Sequence, residues 1–281
     1  MHWQTTRHSI DLAQPRVMGI VNVTPDSFSD GGVHALAADA LAHCEALVRD
    51  GADILDIGGE SSRPGAVRLT GDEELRRVLP VLRGALGLGV PVSVDTCKAA
   101  VMRAVLDAGA DIVNDIRALR GPGALDAVAA HPTCGVCLMH MQGEPASMQR
   151  APAYAGDVVD EVAAFLGQRI AAATARGIGR ARLAVDPGIG FGKQPGHNVA
   201  LLSRQRELLA LGLPLVVGWS RKSTLGWLTG RPLAERLPAS IAAALAAVQH
   251  GAHVIRVHDV AATVDALKVW RAAGLGPAPV A

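Results

Sequence analysis

Charged and amide side chains stand at the ends of short apolar segments along most of this chain. The residues of this kind include Asn22, Asp95, Asn114, Asp186, Lys222, Arg256 and His258. Carboxylates and amides together suit the edge of a flat heterocycle that carries ring N–H and amino groups. Positive charge from Arg63, Arg221, Lys222, Arg256 and His258 suits a phosphate group. The set indicates a site for a ligand with an aromatic ring and an anionic group.

Two simpler explanations of these residues remain open. Single polar residues at strand ends are often caps, and Ser93 and Thr96 fit that role. The second explanation is that the charged residues pair with each other at the surface and bind no ligand. Seven of the eight apolar segments end in such groups, and unpaired charge is costly to bury at a strand end. A functional pocket is therefore the better interpretation.

The apolar segments are short and continuous, which is typical of parallel strands that are covered on both faces. They are "RVMGIVNV", "DILDIGG", "VPVSVDT", "DIVNDI", "GVCLMHM", "RLAVDPG", "PLVVGWS" and "VIRVHDV". Amphipathic helical patterns separate them, for example Leu75, Val78, Leu79, Leu82 and Leu86. Eight strands alternating with eight helices predict an α/β fold, a TIM (β/α)8 barrel with its active site at the C-terminal ends of the strands. A doubly wound open sheet is the alternative.

Length and composition limit the class of protein. The chain has 281 residues, 49% of them apolar, and we expect a single domain over 1–281, with residues 1–15 as an extension that covers the bottom of the barrel. A net charge of +1 and 3% aromatic residues argue against nucleic acid and membrane partners. The first residues lack the apolar core of a signal peptide, so we expect a cytoplasmic location. Cys134 and Cys137 should point to opposite faces of one strand, which favours burial over redox or zinc chemistry.

The segment "DPGIGFGK" is similar to a phosphate-binding loop but lacks its defining residues. Pro187 stands where the first glycine of a Walker motif is required, and Gln194 follows Lys193 instead of Ser or Thr. Its glycines are better explained by close approach of the backbone to a flat ligand.

Taken in order, eight motifs resemble the dihydropteroate synthase family. They are "MGIVNVTPDSFSDGG", "DIGGESSRPGA", "SVDT", "VNDI", "LMHMQG", "DPGIGFGK", "GWSRKS" and "RVHDV", and they run from Val17 to the C-terminal helix. The resemblance implies that the chain joins 6-hydroxymethyl-7,8-dihydropterin diphosphate to 4-aminobenzoate, releasing diphosphate. It also implies a step of folate synthesis, competition by sulfonamides at the aminobenzoate site, and a homodimer.

The resemblance also assigns roles to residues. Asn22 would bind the Mg²⁺ that accompanies the diphosphate, and the anchors of the diphosphate would be Arg63, Arg256 and His258. The pterin would be read by Asp95, Asn114, Asp186 and Lys222, between apolar walls from Ile116, Met139 and Phe191. The aminobenzoate site would comprise Phe28, Ser62, Pro64, Lys222 and Ser223, where Ser62 replaces the Thr of many relatives. The catalytic set would be Asp30, Lys222, Arg256 and His258.

The segment "NVTPDSFSDGG" would act as a lid after the first strand. In the mechanism that the resemblance implies, diphosphate leaves first and the pterin methylene becomes a delocalised cation. Asp30 would stabilise that cation and Phe28 would cover the aminobenzoate, since water would otherwise capture the cation. The alternatives are a methyltetrahydrofolate methyltransferase, a non-catalytic pterin-binding homologue and a sugar-phosphate barrel. The first would not need Arg256 and His258.

Overall fold

The computed structural model describes residues 1–24, 32–61 and 68–275. The strands in this part of the chain are β1 (His2–Gln4), β2 (Ser9–Asp11), β3 (Arg16–Asn22), β4 (Ile54–Gly58), β5 (Val92–Asp95), β6 (Ile112–Asp115), β7 (Gly135–Met139), β8 (Leu183–Asp186), β9 (Val216–Val217) and β10 (Val254–Val257). The α-helices are α1 (Gly32–Arg49), α2 (Gly71–Ala85), α3 (Ala99–Asp107), α4 (Ala124–Ala129), α5 (Val158–Ala175), α6 (Pro195–Ser203), α7 (Ser223–Thr229), α8 (Leu237–Gln249) and α9 (Val260–Ala272).

The eight strands from β3 to β10 form one parallel barrel. Their order is β8-β7-β6-β5-β4-β3-β10-β9, and a parallel bridge between Val185 and Leu215 joins the two ends. The amide of Val185 also donates a hydrogen bond of 2.9 Å to the carbonyl of Pro214. An open doubly wound sheet would leave two free edges, so the predicted TIM barrel is confirmed and its alternative is wrong.

Side chains alternate along each strand between the barrel interior and the surrounding helices. In β4, Leu55 and Ile57 belong to the large core under the helices, whereas Ile54 belongs to a second cluster inside the barrel. Asp56 is on the interior face with Ile54, since successive strand residues point to opposite faces. The same period of two places Arg256 above Val254 in β10. Apolar segments that look continuous in the sequence thus carry polar residues into the mouth.

The N-terminal hairpin closes the bottom of the barrel. Strands β1 and β2 pair antiparallel, and Trp3, Ile10 and Leu12 pack against interior residues at the N-terminal ends of the barrel strands. The indole N–H of Trp3, which is fully buried, donates to the carbonyl of Arg182 over 2.9 Å. Residues 1–15 therefore cover the bottom, as expected, and leave the opposite end to the polar side chains.

Local sequence signals account for several helices, with one departure from the predicted count. Thr70 and Glu73 form a reciprocal capping box that starts α2. The segment between β9 and β10 holds two helices, α7 and α8, instead of one. Cys134 lies in the core under the helices and Cys137 lies inside the barrel, so they face opposite ways as predicted. None of the helices in the described ranges is long and apolar enough to cross a membrane.

Candidate active site

A buried ion-pair network lies inside the C-terminal end of the barrel. Arg256 donates from Nε to Asp56 over 2.6 Å and from Nη2 to Asp95 over 3.0 Å. The amide of Asn114 donates to the same Asp56 oxygen over 3.1 Å. Asp56 is fully buried, and its other oxygen has no hydrogen-bond partner among the described residues. The four side chains come from four different strands and form a rigid polar floor.

Charge and burial compete at this floor. Burial raises the pKa of Asp95, while the neighbouring guanidinium of Arg256 lowers it. For Arg256 the two carboxylates outweigh burial and raise its pKa, so it stays charged. A positive group held between carboxylates in a region of low dielectric offers a fixed charge to an anionic ligand at little reorganisation cost.

Asp186, at the end of β8, is buried and only partly saturated with hydrogen bonds. Its Oδ1 accepts the amide N–H of Gly188 over 2.6 Å, whereas no described residue is seen to donate to its Oδ2. Burial raises its pKa, and the Gly188 amide and the Lys222 charge oppose that rise. One carboxylate oxygen is thus held by the backbone and the other is available to a ligand.

Lys222 stands over the ring of Phe191, with Nζ 4.2 Å from the ring centroid. Such a cation–π contact stabilises the ammonium and fixes its position. Burial is the main reason that the pKa of Lys222 falls to about 8, and Asp186 and Asp95 act against it. Gly190 leaves the space for this side chain, because a Cβ there would lie 3.1 Å from Cδ of Lys222.

His258 follows β10, and its ring nitrogen Nδ1 lies 3.0 Å from the hydroxyl of Ser220. Burial and the charge of Arg256 lower the pKa of His258 to about 3. His258 is therefore neutral at pH 7 in the free protein, and the positive charge expected from the sequence is absent. It would contact an anion as a hydrogen-bond donor.

Arg221 does not join the site. Its guanidinium makes two hydrogen bonds to Asp259, at 2.6 and 3.1 Å, and is 45% exposed. Its backbone is in the left-handed region with φ of 60° and is held by a hydrogen bond from its N–H to Ser240. Arg221 therefore matches the simpler explanation, in which charged residues pair with each other at the surface. The turn at Arg221 directs the neighbouring Lys222 inward.

Three residues predicted as apolar walls lie together. Met139 forms a small cluster with Met141 and Met148, and Ile116 and Phe191 pack against it. A cavity of about 540 Å³ opens beside Asp95 and Ile116, between the loops after β4, β5 and β6.

Ser223, predicted for the aminobenzoate site, is the first residue of α7 and is exposed, next to Lys222.

Asn22 is the last residue of β3 and is half-buried at the mouth. Mg²⁺ is often held by one or two protein oxygens together with substrate phosphates and waters. An amide oxygen at this position fits such a role. Within the described residues there is no cluster of three or more His, Cys, Asp or Glu that would form an all-protein site.

Five predicted residues lie outside the described ranges: Phe28, Asp30, Ser62, Arg63 and Pro64. Their assignments stay predictions. The other eleven stand at the C-terminal ends of β3, β5, β6, β7, β8 and β10, in the loops that follow barrel strands, or at the start of α7: Asn22, Asp95, Asn114, Ile116, Met139, Asp186, Phe191, Lys222, Ser223, Arg256 and His258.

Sequence reasoning missed two residues that organise the site. Asp56 binds both Arg256 and Asn114, and the period of two through Ile54, Asp56 and Gly58 would have placed it inside the barrel. Asn198, in α6, accepts the N–H of Gly190 over 2.8 Å and donates to Thr224 over 2.9 Å. No local pattern indicates that second link, since it joins two loops far apart in the chain.

The comparisons with known proteins agree with this arrangement. The profile described as pterin binding enzyme matches residues 18–258. A dihydropteroate synthase of Neisseria meningitidis serogroup B is 53% identical over 279 residues, which cover 97% of this chain and 98% of the relative. The chain belongs to the pterin-binding enzymes, among the dihydropteroate synthases. These proteins are transferases, and the methyltransferase and sugar-phosphate alternatives do not fit.

Solved structures of this family superpose on the barrel. A Xanthomonas albilineans dihydropteroate synthase with 4-aminobenzoic acid is 54% identical, covers 95% of both chains and has a TM-score of 0.89. A second structure from that organism, in complex with 7,8-dihydropteroate, has a TM-score of 0.88 at 50% identity and covers 98% of this chain and 99% of its own. A Yersinia pestis synthase with a sulfonamide drug complex is 47% identical, covers 98% of this chain and 99% of its own, and has a TM-score of 0.91.

Proposed function

We propose that this chain condenses 6-hydroxymethyl-7,8-dihydropterin diphosphate with 4-aminobenzoate to give 7,8-dihydropteroate and diphosphate, a step of folate synthesis. The observation that carries the proposal is the convergence of Asp95, Asn114, Asp186, Lys222 and Arg256 at one end of a barrel of this family. Similar synthases have been solved with 4-aminobenzoic acid and with 7,8-dihydropteroate bound. Sulfonamides would compete for the aminobenzoate site.

The described residues suit both halves of the pterin diphosphate. The free oxygen of Asp186 and the amide of Asn114 can hold the amino and N–H groups of the ring. Arg256 and neutral His258 would contact the diphosphate. Ile116, Met139 and Phe191 would cover the ring faces and exclude water from the reacting carbon.

The reaction is then a substitution at the pterin methylene carbon. The C–O bond to diphosphate breaks, and the electron pair leaves with the diphosphate. The amine of 4-aminobenzoate forms the new C–N bond and gives up one proton to the released diphosphate or to solvent. Charge on the leaving oxygen is stabilised by the fixed cations Arg256 and Lys222, which are in place before the bond breaks.

Mg²⁺ would supply further charge compensation for the diphosphate when it is bound. Among the described residues Asn22 would contribute one oxygen ligand, and the remaining ligands would come from phosphate and water.

The direct test is a diphosphate-release assay with both substrates, together with detection of dihydropteroate. Product should require both substrates, and omission of either should abolish it. Chelation of Mg²⁺ should weaken binding of the pterin diphosphate in calorimetry. Absence of product above a heat-killed control would leave only the non-catalytic pterin-binding alternative.

The pH dependence should report the Lys222 ammonium. Its pKa of about 8 means that it is charged at pH 7 and loses its proton above pH 8. We therefore expect kcat/KM for the pterin diphosphate to fall about tenfold per pH unit above that value. In the Lys222→Arg variant, which stays charged, activity should be lower but the fall should vanish from this range. The same fall in both proteins would assign the titration to another group or to the substrate.

We also propose a homodimer. Large apolar side chains are exposed within eleven residues of α7, the following turn and the start of α8: Trp227 at 66%, Leu228 at 53%, Leu233 at 52% and Leu237 at 42%. Such a patch is typical of a protein interface. Sedimentation should give the mass of two chains, and Trp227→Glu should shift it towards one chain. A wild-type protein that sediments as a single chain at micromolar concentration would contradict the dimer.

A further inference from the structure

Lys193 closes the "GFGK" segment, and the proposed reaction gives it no role. Its side chain is only 2% exposed. Nζ lies 2.8 Å from Nδ1 of His140 and donates to the carbonyls of Gly188 over 3.0 Å and Phe191 over 3.1 Å. These three partners use the three directions of an ammonium group. Lys193 therefore has no free donor for a phosphate, although its sequence context resembles a phosphate loop.

The three partners belong to two different segments. Gly188 and Phe191 are in the loop between β8 and α6, whereas His140 follows β7. Lys193 thus ties the β8–α6 loop to the chain beyond β7. Burial lowers the pKa of Lys193 to about 7 and that of His140 to about 3. The contact is satisfied in either state of the lysine, because a neutral amine donates to both carbonyls and accepts from an Nδ1–H.

The loop lies directly on the backbone beneath it. A Cβ on Gly188 would stand 1.8 Å from the carbonyl oxygen of His140, and one on Gly192 would stand 2.3 Å from that of Gln142. Both glycines have positive φ, of 67° and 63°. This close approach explains Gly188 and Gly192, and the Lys193 amino group lies between the loop and the backbone beneath it.

Phe191 is the residue of this loop that reaches the site. Its carbonyl accepts a hydrogen bond from Lys193. Its ring makes the cation–π contact with Lys222 and packs against the Met139 cluster. Without the Lys193 amino group, the carbonyls of Gly188 and Phe191 and the ring nitrogen of His140 would each lose a hydrogen-bond partner, which destabilises the loop that contains the two carbonyls. The loop would then change its conformation, and the Phe191 ring would no longer be held in one position beside the pterin pocket.

We propose that Lys193 is a positioning residue that acts through Phe191: its buried amino group holds the β8–α6 loop and thereby positions the Phe191 ring, which lines the pterin pocket and contacts Lys222. The inference rests on the proposed function for its kinetic readout, but its binding readout needs only a pterin ligand.

The test is Lys193→Met, which keeps the length of the side chain and removes the hydrogen bonds. We expect KM for the pterin diphosphate to rise about tenfold or more, with a parallel loss of affinity in calorimetry and a smaller change in kcat. Lys268→Met is the matched surface control, because Lys268 is 64% exposed and pairs only with Asp265 in the described part of the chain. It should leave all three quantities unchanged.

A second control separates positioning from loss of stability. Arg182 donates to the carbonyls of His131, Pro132 and Cys134 at the opposite end of the barrel. Arg182→Met should lower the melting temperature without raising KM. If it raises KM as much as Lys193→Met at equal loss of stability, Lys193 has only a structural role and the proposal is wrong.

A double-mutant cycle of Lys193→Met and Phe191→Leu tests whether Lys193 acts through Phe191. If Lys193 acts through Phe191, the two effects on pterin affinity will be strongly non-additive. Additive effects would overturn the proposal. A wild-type protein that binds pterin diphosphate but makes no product would contradict the proposed function alone, since the cycle is then still read by calorimetry.

Discussion

Replacing Arg256 by Met is expected to produce one of the two largest effects in the site. Asp56, which is fully buried, and Asp95 would both lose the guanidinium that lies 2.6 and 3.0 Å from them. Breaking a buried pair on one side costs about 3–5 kcal/mol, because the remaining charge is uncompensated. Diphosphate would also lose its fixed cation and meet two carboxylates instead. We expect kcat/KM to fall by at least about a thousandfold, with a lower midpoint of urea unfolding.

The double variant Arg256→Met with Asp56→Asn separates these two consequences. The second change removes one uncompensated charge and keeps an amide that can still meet Asn114. Stability should recover in large part, whereas affinity for the pterin diphosphate should stay low. If affinity recovers together with stability, Arg256 serves to neutralise Asp56 and is not an anion anchor. Urea unfolding and calorimetry on the same samples decide between the two.

The fold was predictable because its signals are local and repeated. Buried parallel strands give apolar segments of few residues, and glycines with positive φ follow the ends of three helices, at Gly51, Gly109 and Gly251. The extra helix α7 was missed because "STLGWLT" is short and has a glycine in its interior, which weakens any helical pattern.

The sequence predicted which residues lie at the site better than it predicted which of them pair with each other. Polar residues at strand ends identified Asp95, Asn114 and Arg256, but not that Arg256 already pairs with Asp56, 200 residues away. Such pairings depend on distances across the barrel, which no local pattern contains. The positive charge expected for His258 was wrong for the same reason. Burial and the nearby Arg256 lower the pKa of His258, and neither is visible in a local pattern.

The second large effect is expected at Asp186, whose Oδ1 accepts from Gly188 while its Oδ2 has no hydrogen-bond donor among the described residues. Asn in its place would keep one acceptor for the Gly188 amide and present a neutral group to the pterin. A hydrogen bond to a charged group is worth roughly 1.5–3 kcal/mol, so Asp186→Asn should weaken pterin diphosphate binding by about 10- to 150-fold. The loss should appear equally in ground-state affinity and in kcat/KM, since the ring contact persists through the reaction.

Asp115 provides the matched control for Asp186. It also ends a strand and is fully buried, but both of its oxygens are used by the backbone, Oδ1 by Arg117 and Oδ2 by Leu119, each over 2.8 Å. Asp115→Asn leaves one of those N–H groups without a full acceptor and should reduce stability while pterin affinity stays close to that of the wild type. Calorimetric titration of both variants measures the difference. Equal losses of affinity would mean that Asp186, like Asp115, only supports the loop beside it, and the pterin would then have to be read by Asp95 and Asn114 instead.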